Sequence, residues 1–96
     1  MDFRVEIKEP AIADLAEIVS YIARDNPEAA MTLGNNLLDA ALSLAEMPYK
    51  GSPYQTITGI CKLTLRPFKI FYRVHERRKV VEVLRFWHSA RSEPDI

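Results

Sequence analysis

The spacing of apolar residues changes twice along this chain of 96 residues, and that change constrains the fold more than any other feature. Residues 2–8 alternate between apolar and charged side chains, which is the period of a strand with one buried face. From Pro10 to about Arg24, apolar residues recur every three or four positions, as on an amphipathic helix. Period two returns after residue 60. The pattern therefore predicts a strand, then helical structure, then further strands.

A second helix is predicted directly after the first. The stretch Asp25-Asn26-Pro27-Glu28 supplies a capping side chain, a proline for the first turn and an early acid. The apolar stripe then continues to about Met47-Pro48, where the proline disfavours a helical residue before it. We therefore expect two helices joined as a hairpin.

Three strands are predicted in the C-terminal half: Ile60–Arg66, Phe68–His75 and Val80 to about Trp87. The segment 48–59 is predicted to be a long connection with at most a short extended piece. The order β-α-α-β-β-β indicates an α+β fold in a single domain over residues 1–96, an antiparallel sheet with a helical hairpin packed on one face. The opposite face of the sheet is predicted to be left for function.

The charged residues are divided unevenly between the two halves of the chain. Residues 1–49 hold three basic and nine acidic side chains, and residues 50–96 hold ten basic and four acidic ones. This favours a surface that binds an anionic partner, either nucleic acid or an acidic protein segment. The alternative is neutralisation of one half by the other within the molecule.

Several classes of protein are disfavoured by composition. The lone Cys61 cannot form an internal disulfide, and one cysteine with two distant histidines does not suggest a metal site. No apolar run approaches the ~20 residues that span a bilayer. We therefore expect a cytoplasmic protein with no metal, no other cofactor and no membrane partner.

Four phrases occur in a characteristic order: DLAEIVSYIARDNPEAA (Asp14–Ala30), MPYKG after the second helix, then IFYRV and VLRFWHSAR. Together they resemble the RelE/ParE superfamily of toxins from bacterial type II toxin–antitoxin systems, often labelled plasmid stabilisation proteins. The resemblance covers nearly the whole chain. It implies a toxin that is held inactive by a co-expressed antitoxin, whose C-terminal segment wraps around it. RelE-like members cleave messenger RNA in the ribosomal A site, whereas ParE-like members bind DNA gyrase without evident catalysis.

Metal-free RNA cleavage requires a base, an acid and cations that converge on one phosphate. The resemblance to RelE-like nucleases implies an arginine just beyond the last strand and a tyrosine near the C-terminus, but Ser89 and Asp95 stand there. A histidine that titrates near neutrality is still a credible acid or base. If the protein is a metal-independent endoribonuclease, the candidate catalytic residues are Lys69, Arg73, Arg85, His88 and Arg91, with Tyr72 as a stacking or proton-transfer residue.

Strict alternation places Arg73 and Arg85 on one sheet face together with Phe71, Val83 and Trp87. A face that is both apolar and basic suits an amphipathic peptide at least as well as a phosphate groove. The H-x-x-R ending of VLRFWHSAR also resembles the ParE-like branch. The candidate residues for binding the target or the antitoxin are Arg66, Phe71, Arg73, Arg85, Trp87, His88 and Arg91.

Three functions follow from these patterns. The first is a ParE-like toxin that inhibits DNA gyrase and is neutralised by a cognate antitoxin. The second is a RelE-like, ribosome-dependent messenger RNA endonuclease. The third is a basic interaction domain that has lost toxicity.

Overall fold

A computed structural model describes residues 2–96 of the protein. Its elements follow the predicted order, with a two-residue strand where the long connection is predicted to hold at most a short extended piece, and with a one-turn 3₁₀ helix that the sequence does not predict. Neither helix is long and apolar enough to cross a bilayer. The elements are β1 (Arg4–Ile7), α1 (Glu9–Ala23), α2 (Pro27–Leu42), a one-turn 3₁₀ helix (Ser43–Ala45), β2 (Ser52–Pro53), β3 (Cys61–Leu65), β4 (Phe68–His75) and β5 (Val80–His88).

The strands form one sheet in the order β1-β5-β4-β3-β2. β3, β4 and β5 make the predicted antiparallel meander. β1 instead runs parallel to β5, with Arg4 opposite Val80 and Ile7 opposite Val83. The α+β class is confirmed, but the sheet is mixed rather than wholly antiparallel. Alternation along β1 indicates that one of its faces is buried. Its direction relative to β5 depends on the path of the chain through the helical hairpin, which alternation does not specify.

α1 and α2 form the predicted hairpin, and the predicted cap is present. Asn26 Oδ1 accepts a hydrogen bond of 3.1 Å from the backbone N–H of Ala29, and Pro27 is the first residue of α2. Where the helices meet, a Cβ added at Gly34 would lie 2.9 Å from Val19 Cγ2. The missing side chain at position 34 therefore allows the two helices to approach closely.

The helical hairpin covers one face of the sheet and forms the main core with it. Burial of this apolar surface is the dominant favourable term in folding. The buried members of the core are Ala11, Leu37, Ala41, Leu44, Phe68, Ile70, Tyr72, Val81, Val83 and Phe86.

The opposite face of the sheet is partly covered, contrary to the sequence prediction. A second cluster of buried side chains lies there: Tyr54, Ile60, Phe71 and Trp87. Tyr54 and Ile60 belong to the connection between the second helix and β3, which folds back across the sheet. Large aromatic side chains on the second face of a sheet are stabilised by burial, so a nearby segment of the chain packs over them.

A β-bulge in β5 changes which side chains share a face. Phe71 pairs with Arg85, but the next residue, Tyr72, pairs with Val83, so Leu84 is the extra residue. Val83 therefore packs in the helix-covered core, while Trp87 packs with Phe71 on the other face. The prediction that Val83 shares the face of Phe71 and Trp87 is wrong, because a bulge shifts the alternation by one residue.

Candidate partner-binding site at the end of the sheet

A groove of about 550 Å³ opens between α1 and the end of the sheet at which β5 stops. Most of its wall is apolar, with a few charged side chains among the lining residues. An apolar groove with a few charged groups is suited to an amphipathic segment of another protein. We call it the α1 groove; its lining residues are Asp14, Glu17, Ile18, Tyr21, Ile22, Leu33, Pro67, Phe68, Phe86, His88 and Arg91.

One wall of the α1 groove is fixed by an ion pair between Asp14 and Arg85. Arg85 Nε donates to Asp14 Oδ2 at 2.7 Å and Arg85 Nη2 donates to Asp14 Oδ1 at 2.8 Å. Asp14 Oδ2 also accepts the backbone N–H of Phe86 at 3.2 Å. The hydrogen bonds that Arg85 donates to the Asp14 carboxylate raise the pKa of Arg85 above its ordinary value. Arg85, predicted to bind a partner or a phosphate, is therefore already neutralised within the molecule.

Trp87 holds two arginines at the end of β5. The guanidinium carbon of Arg91 lies 4.0 Å from the centroid of the Trp87 ring, and that of Arg85 lies 4.7 Å from it. The indole N–H of Trp87 donates to the backbone oxygen of Ser92 at 2.7 Å. Among residues 2–96, Arg91 makes no ion pair, so it differs from Arg85 in keeping its charge available.

His88 lies on the helix side of the sheet, in the α1 groove. Its Nδ1 accepts the backbone N–H of Ala90 at 3.0 Å, and its ring meets the edge of Phe68 with 5.2 Å between centroids. A ring nitrogen that accepts this bond leaves Nε2 to carry the proton of the neutral imidazole. The His88 ring thus stabilises the turn after β5 through its bond with Ala90.

The other basic candidates differ in position, and of these only Lys69 borders a cavity with Trp87 and Arg91. Lys69 is in register with Trp87, and Arg73 is in register with Glu82. Arg66 lies beyond the end of β3, where it is exposed. The structure therefore brings Arg85 and Arg91 together at Trp87 and places His88 nearby, but it does not bring Arg66 or Arg73 into the same site.

Phe71 and Tyr72 are interior residues. The ring of Phe71 packs edge-on against Tyr54, with 5.0 Å between centroids, and is 1% exposed. Tyr72 is fully buried, and its hydroxyl accepts the backbone N–H of Gly51 at 3.1 Å. Burial raises the pKa of the Tyr72 hydroxyl, as it does that of the Cys61 thiol beside it. Tyr72 is therefore closed off from a substrate, whereas Phe71 borders the small cavity that Lys69 and Arg91 also line, and its role in binding stays a prediction.

Three side chains that shape this region were not singled out from sequence: Asp14, Tyr54 and Glu93. Asp14 carried a signal, because it follows the buried Ala11 by three residues and precedes Ile18 by four, on the inward side of α1. A charged residue at such a position usually has a partner. Tyr54 donates its hydroxyl to the Glu93 carboxylate, a contact across 39 residues that no local pattern indicates.

Comparisons with known proteins bear on the fold and the family. The family model described as the ParE toxin of the type II toxin–antitoxin system parDE matches residues 5–93. A curated relative named Toxin RelE2, from Caulobacter vibrioides, is 37% identical over 81 residues, which cover 84% of this chain and 89% of that protein.

Solved structures show the same fold at lower identity. A chromosomal ParDE toxin–antitoxin system from P. aeruginosa superposes with a TM-score of 0.78 at 23% identity, covering 90% of this chain and 95% of the other. The RelBE2 toxin–antitoxin complex from Mycobacterium tuberculosis superposes with a TM-score of 0.70 at 19% identity, covering 92% and 99%. The fold is therefore common to toxins of both names.

Proposed function

Because the chain belongs to the ParE toxin family of type II toxin–antitoxin systems, we propose that it inhibits DNA gyrase through protein contacts and is neutralised by an antitoxin. The antitoxin would place an apolar segment in the α1 groove. We propose gyrase as the target because ParE-like members bind it. We propose binding without catalysis because of how the candidate residues are arranged in the site.

One observation carries the choice of a non-catalytic toxin. His88, the candidate acid or base, lies in the α1 groove, whereas Lys69 lies in register with Trp87 on the opposite face of the sheet. Arg85 is bonded to Asp14, and Arg91, which borders both cavities, is stacked on Trp87. Cleavage of RNA needs a proton-transfer group and cations directed at one phosphate. This separation supports binding rather than phosphodiester chemistry.

The α1 groove supports the antitoxin as its occupant. Its wall combines apolar side chains, including Ile18 and Phe86, with the carboxylate of Glu17 and the guanidinium of Arg91, which has no ion-pair partner among residues 2–96. Toxins of this fold have been solved in complex with antitoxins. A contiguous apolar groove on a small protein is also a typical site of association.

The target is tested by two assays run in parallel on the purified toxin. We expect inhibition of gyrase supercoiling, or stabilised gyrase cleavage, with no ribosome-dependent messenger RNA cleavage. Clean cleavage in the ribosomal A site with unaffected gyrase would show that the proposal is wrong.

Occupancy of the α1 groove is tested with two matched substitutions, Tyr21→Ala and Met31→Ala. These side chains are 68% and 69% exposed, so neither truncation disturbs the core, but only Tyr21 lines the groove. We expect Tyr21→Ala to weaken antitoxin binding about tenfold, the effect of losing one aromatic anchor. Met31→Ala should bind as the unsubstituted toxin does, and equal losses in both would exclude the groove.

A second candidate function is a RelE-like ribonuclease, favoured by the similarity to the protein named Toxin RelE2. In that case a substrate phosphate would have to draw Lys69 and Arg91, which line one small cavity, towards it. His88→Ala would then abolish messenger RNA cleavage, while His75→Ala, the other histidine, would leave it intact.

A further inference from the structure

Arg91 is the one guanidinium at Trp87 that has no carboxylate partner among residues 2–96. It is exposed, it follows β5 by three residues, and it borders two cavities. One cavity is the α1 groove, and the other, of about 200 Å³, also contains Lys69, Trp87 and Glu93 in its wall. A guanidinium stacked on an aromatic ring leaves its in-plane N–H groups free, and these match a carboxylate in two-point contact.

An acid of the same chain lies within reach of Arg91. Glu93 is two residues further on, and both side chains border the smaller cavity. A pairing of these two side chains would neutralise Arg91 before any partner arrived. Among residues 2–96 the two side chains form no ion pair, and the Glu93 carboxylate accepts the hydroxyl of Tyr54. The same hydrogen bond raises the pKa of Tyr54, so the tyrosine remains a donor.

The chain on either side of Glu93 is also held in place. The backbone oxygen of Ser92 accepts the Trp87 indole N–H at 2.7 Å, and that of Asp95 accepts a bond of 3.3 Å from Arg85 Nη1. Pro94 between them is buried. Residues at a chain end are usually poorly ordered unless they are tied down. Here Tyr54, from the long connection, ties down the carboxylate that would otherwise be free to reach Arg91.

We propose that Tyr54 is a positioning residue that holds Glu93 away from Arg91, so that Arg91 can bind a carboxylate of the antitoxin segment seated in the α1 groove. The inference rests on the proposed antitoxin function. It assigns the partner an acidic side chain at the end of its apolar stripe, opposite Arg91. It also gives a role to a tyrosine that lies far from Arg91 in sequence.

The test uses a peptide with the sequence of the C-terminal segment of the antitoxin encoded beside the toxin gene. Binding is measured by calorimetry for full-length toxin carrying Arg91→Ala, Tyr54→Phe, Glu93→Gln, or Tyr54→Phe with Glu93→Gln. We expect Arg91→Ala and Tyr54→Phe each to weaken binding about fivefold, the range of one exposed ion pair, and the loss to shrink at high salt. Glu93→Gln should bind as the unsubstituted toxin does, because glutamine still accepts the tyrosine hydroxyl without a charge.

The double variant separates positioning from simple support of the fold. If Tyr54→Phe acts by releasing a competing carboxylate, Glu93→Gln restores affinity in the Tyr54→Phe background. If Tyr54 merely supports the connection, the double variant stays as weak as Tyr54→Phe, and the inference is wrong. Unchanged binding by Arg91→Ala would also overturn it. Failure of the unsubstituted toxin to bind the peptide would instead count against the proposed antitoxin function.

Discussion

At the scale of single residues, the Asp14 carboxylate accepts a backbone N–H that no neighbouring strand accepts. β1 ends opposite Val83, so the edge of β5 beyond that point has no neighbouring strand. Asp14 accepts the Phe86 N–H there and two side-chain donors of Arg85, Nε and Nη2. The side chains of Asp14 and Arg85 are 11% and 21% exposed, so the pair is well shielded from water. Arg85, predicted from the sequence to be a functional cation, therefore takes part in an internal ion pair.

Substitution of Asp14 by Asn should destabilise the protein. The change keeps the size of the side chain, but it removes the charge and leaves Arg85 without its counterion. Loss of one partner of a shielded, doubly hydrogen-bonded pair costs about 2–4 kcal/mol in free energy of unfolding. Urea denaturation measures it, with Glu17→Gln on the exposed side of the same helix as control. Equal stability of the two variants would show that the Asp14–Arg85 pair contributes nothing.

At the scale of elements, the long connection and β5 decide which parts of the sheet remain accessible. The connection is fastened at several points: Tyr49 donates its hydroxyl to Glu76, which raises the pKa of Tyr49 to about 12, and Gly51 donates to Tyr72. Tyr54 then reaches the aromatic cluster of the second face. The bulge at Leu84 places Trp87 in that cluster. The long connection therefore has the composition of a loop, but it packs on the second face of the sheet as a third layer.

Gly51 is the position in the connection most sensitive to an added side chain. A Cβ there would lie 2.4 Å from the backbone oxygen of Lys62 and 2.7 Å from the Tyr72 hydroxyl. Since a backbone atom of β3 cannot move aside cheaply, Gly51→Ala should lower the free energy of unfolding by about 2–3 kcal/mol. Thermal denaturation followed by circular dichroism measures the effect. The neighbouring, exposed Ser52→Ala is the control, and a Gly51→Ala protein as stable as it would contradict the packing described.

At the scale of the whole molecule, the two halves of the chain are joined by the apolar core and by strand pairing, with few ion pairs between them. Among residues 2–96, the Asp14–Arg85 pair is the only ion pair between an acid of residues 1–49 and a base of residues 50–96. The alternative of internal neutralisation therefore explains little of the charge division. The basic excess of the second half remains largely available to an acidic partner, in keeping with the role proposed for Arg91.

The junction between the N-terminal and C-terminal strands should be sensitive to acid. Glu82 Oε1 lies 2.9 Å from His75 Nε2, and Glu82 Oε2 lies 3.5 Å from Lys8 Nζ. The hydrogen bond with His75, aided by the charge of Lys8, lowers the pKa of Glu82 from its ordinary value of 4.5. A lowered folded-state pKa stabilises the protein above about pH 4.5, and that stabilisation is lost as pH falls through the folded-state pKa.

The Glu82→Gln variant checks this dependence on pH. It should be less stable than the unsubstituted protein at neutral pH, and the difference should disappear on acidification through the folded-state pKa of Glu82. Urea denaturation at a series of pH values measures it. The exposed Glu46→Gln is the control, because Glu46 takes part in no ion pair within residues 2–96. A difference that stays constant with pH would exclude ionised Glu82 as its source.

By itself, the sequence determined the order of the elements, the helical hairpin with its Asn26 cap, and the antiparallel meander, because these depend on local periodicity and on residues close together along the chain. It also carried enough of the family's phrases to indicate a toxin. The tertiary structure decided the parallel pairing of β1, the bulge at Leu84 and the burial of Phe71 under the long connection. It also decided that Arg85 is ion-paired with Asp14, whereas Arg91 has no ion-pair partner among residues 2–96. Each of these depends on a contact between residues far apart in sequence, such as Asp14 with Arg85 or Tyr54 with Glu93. Such contacts follow from how layers pack, and apolar spacing along one segment does not specify them.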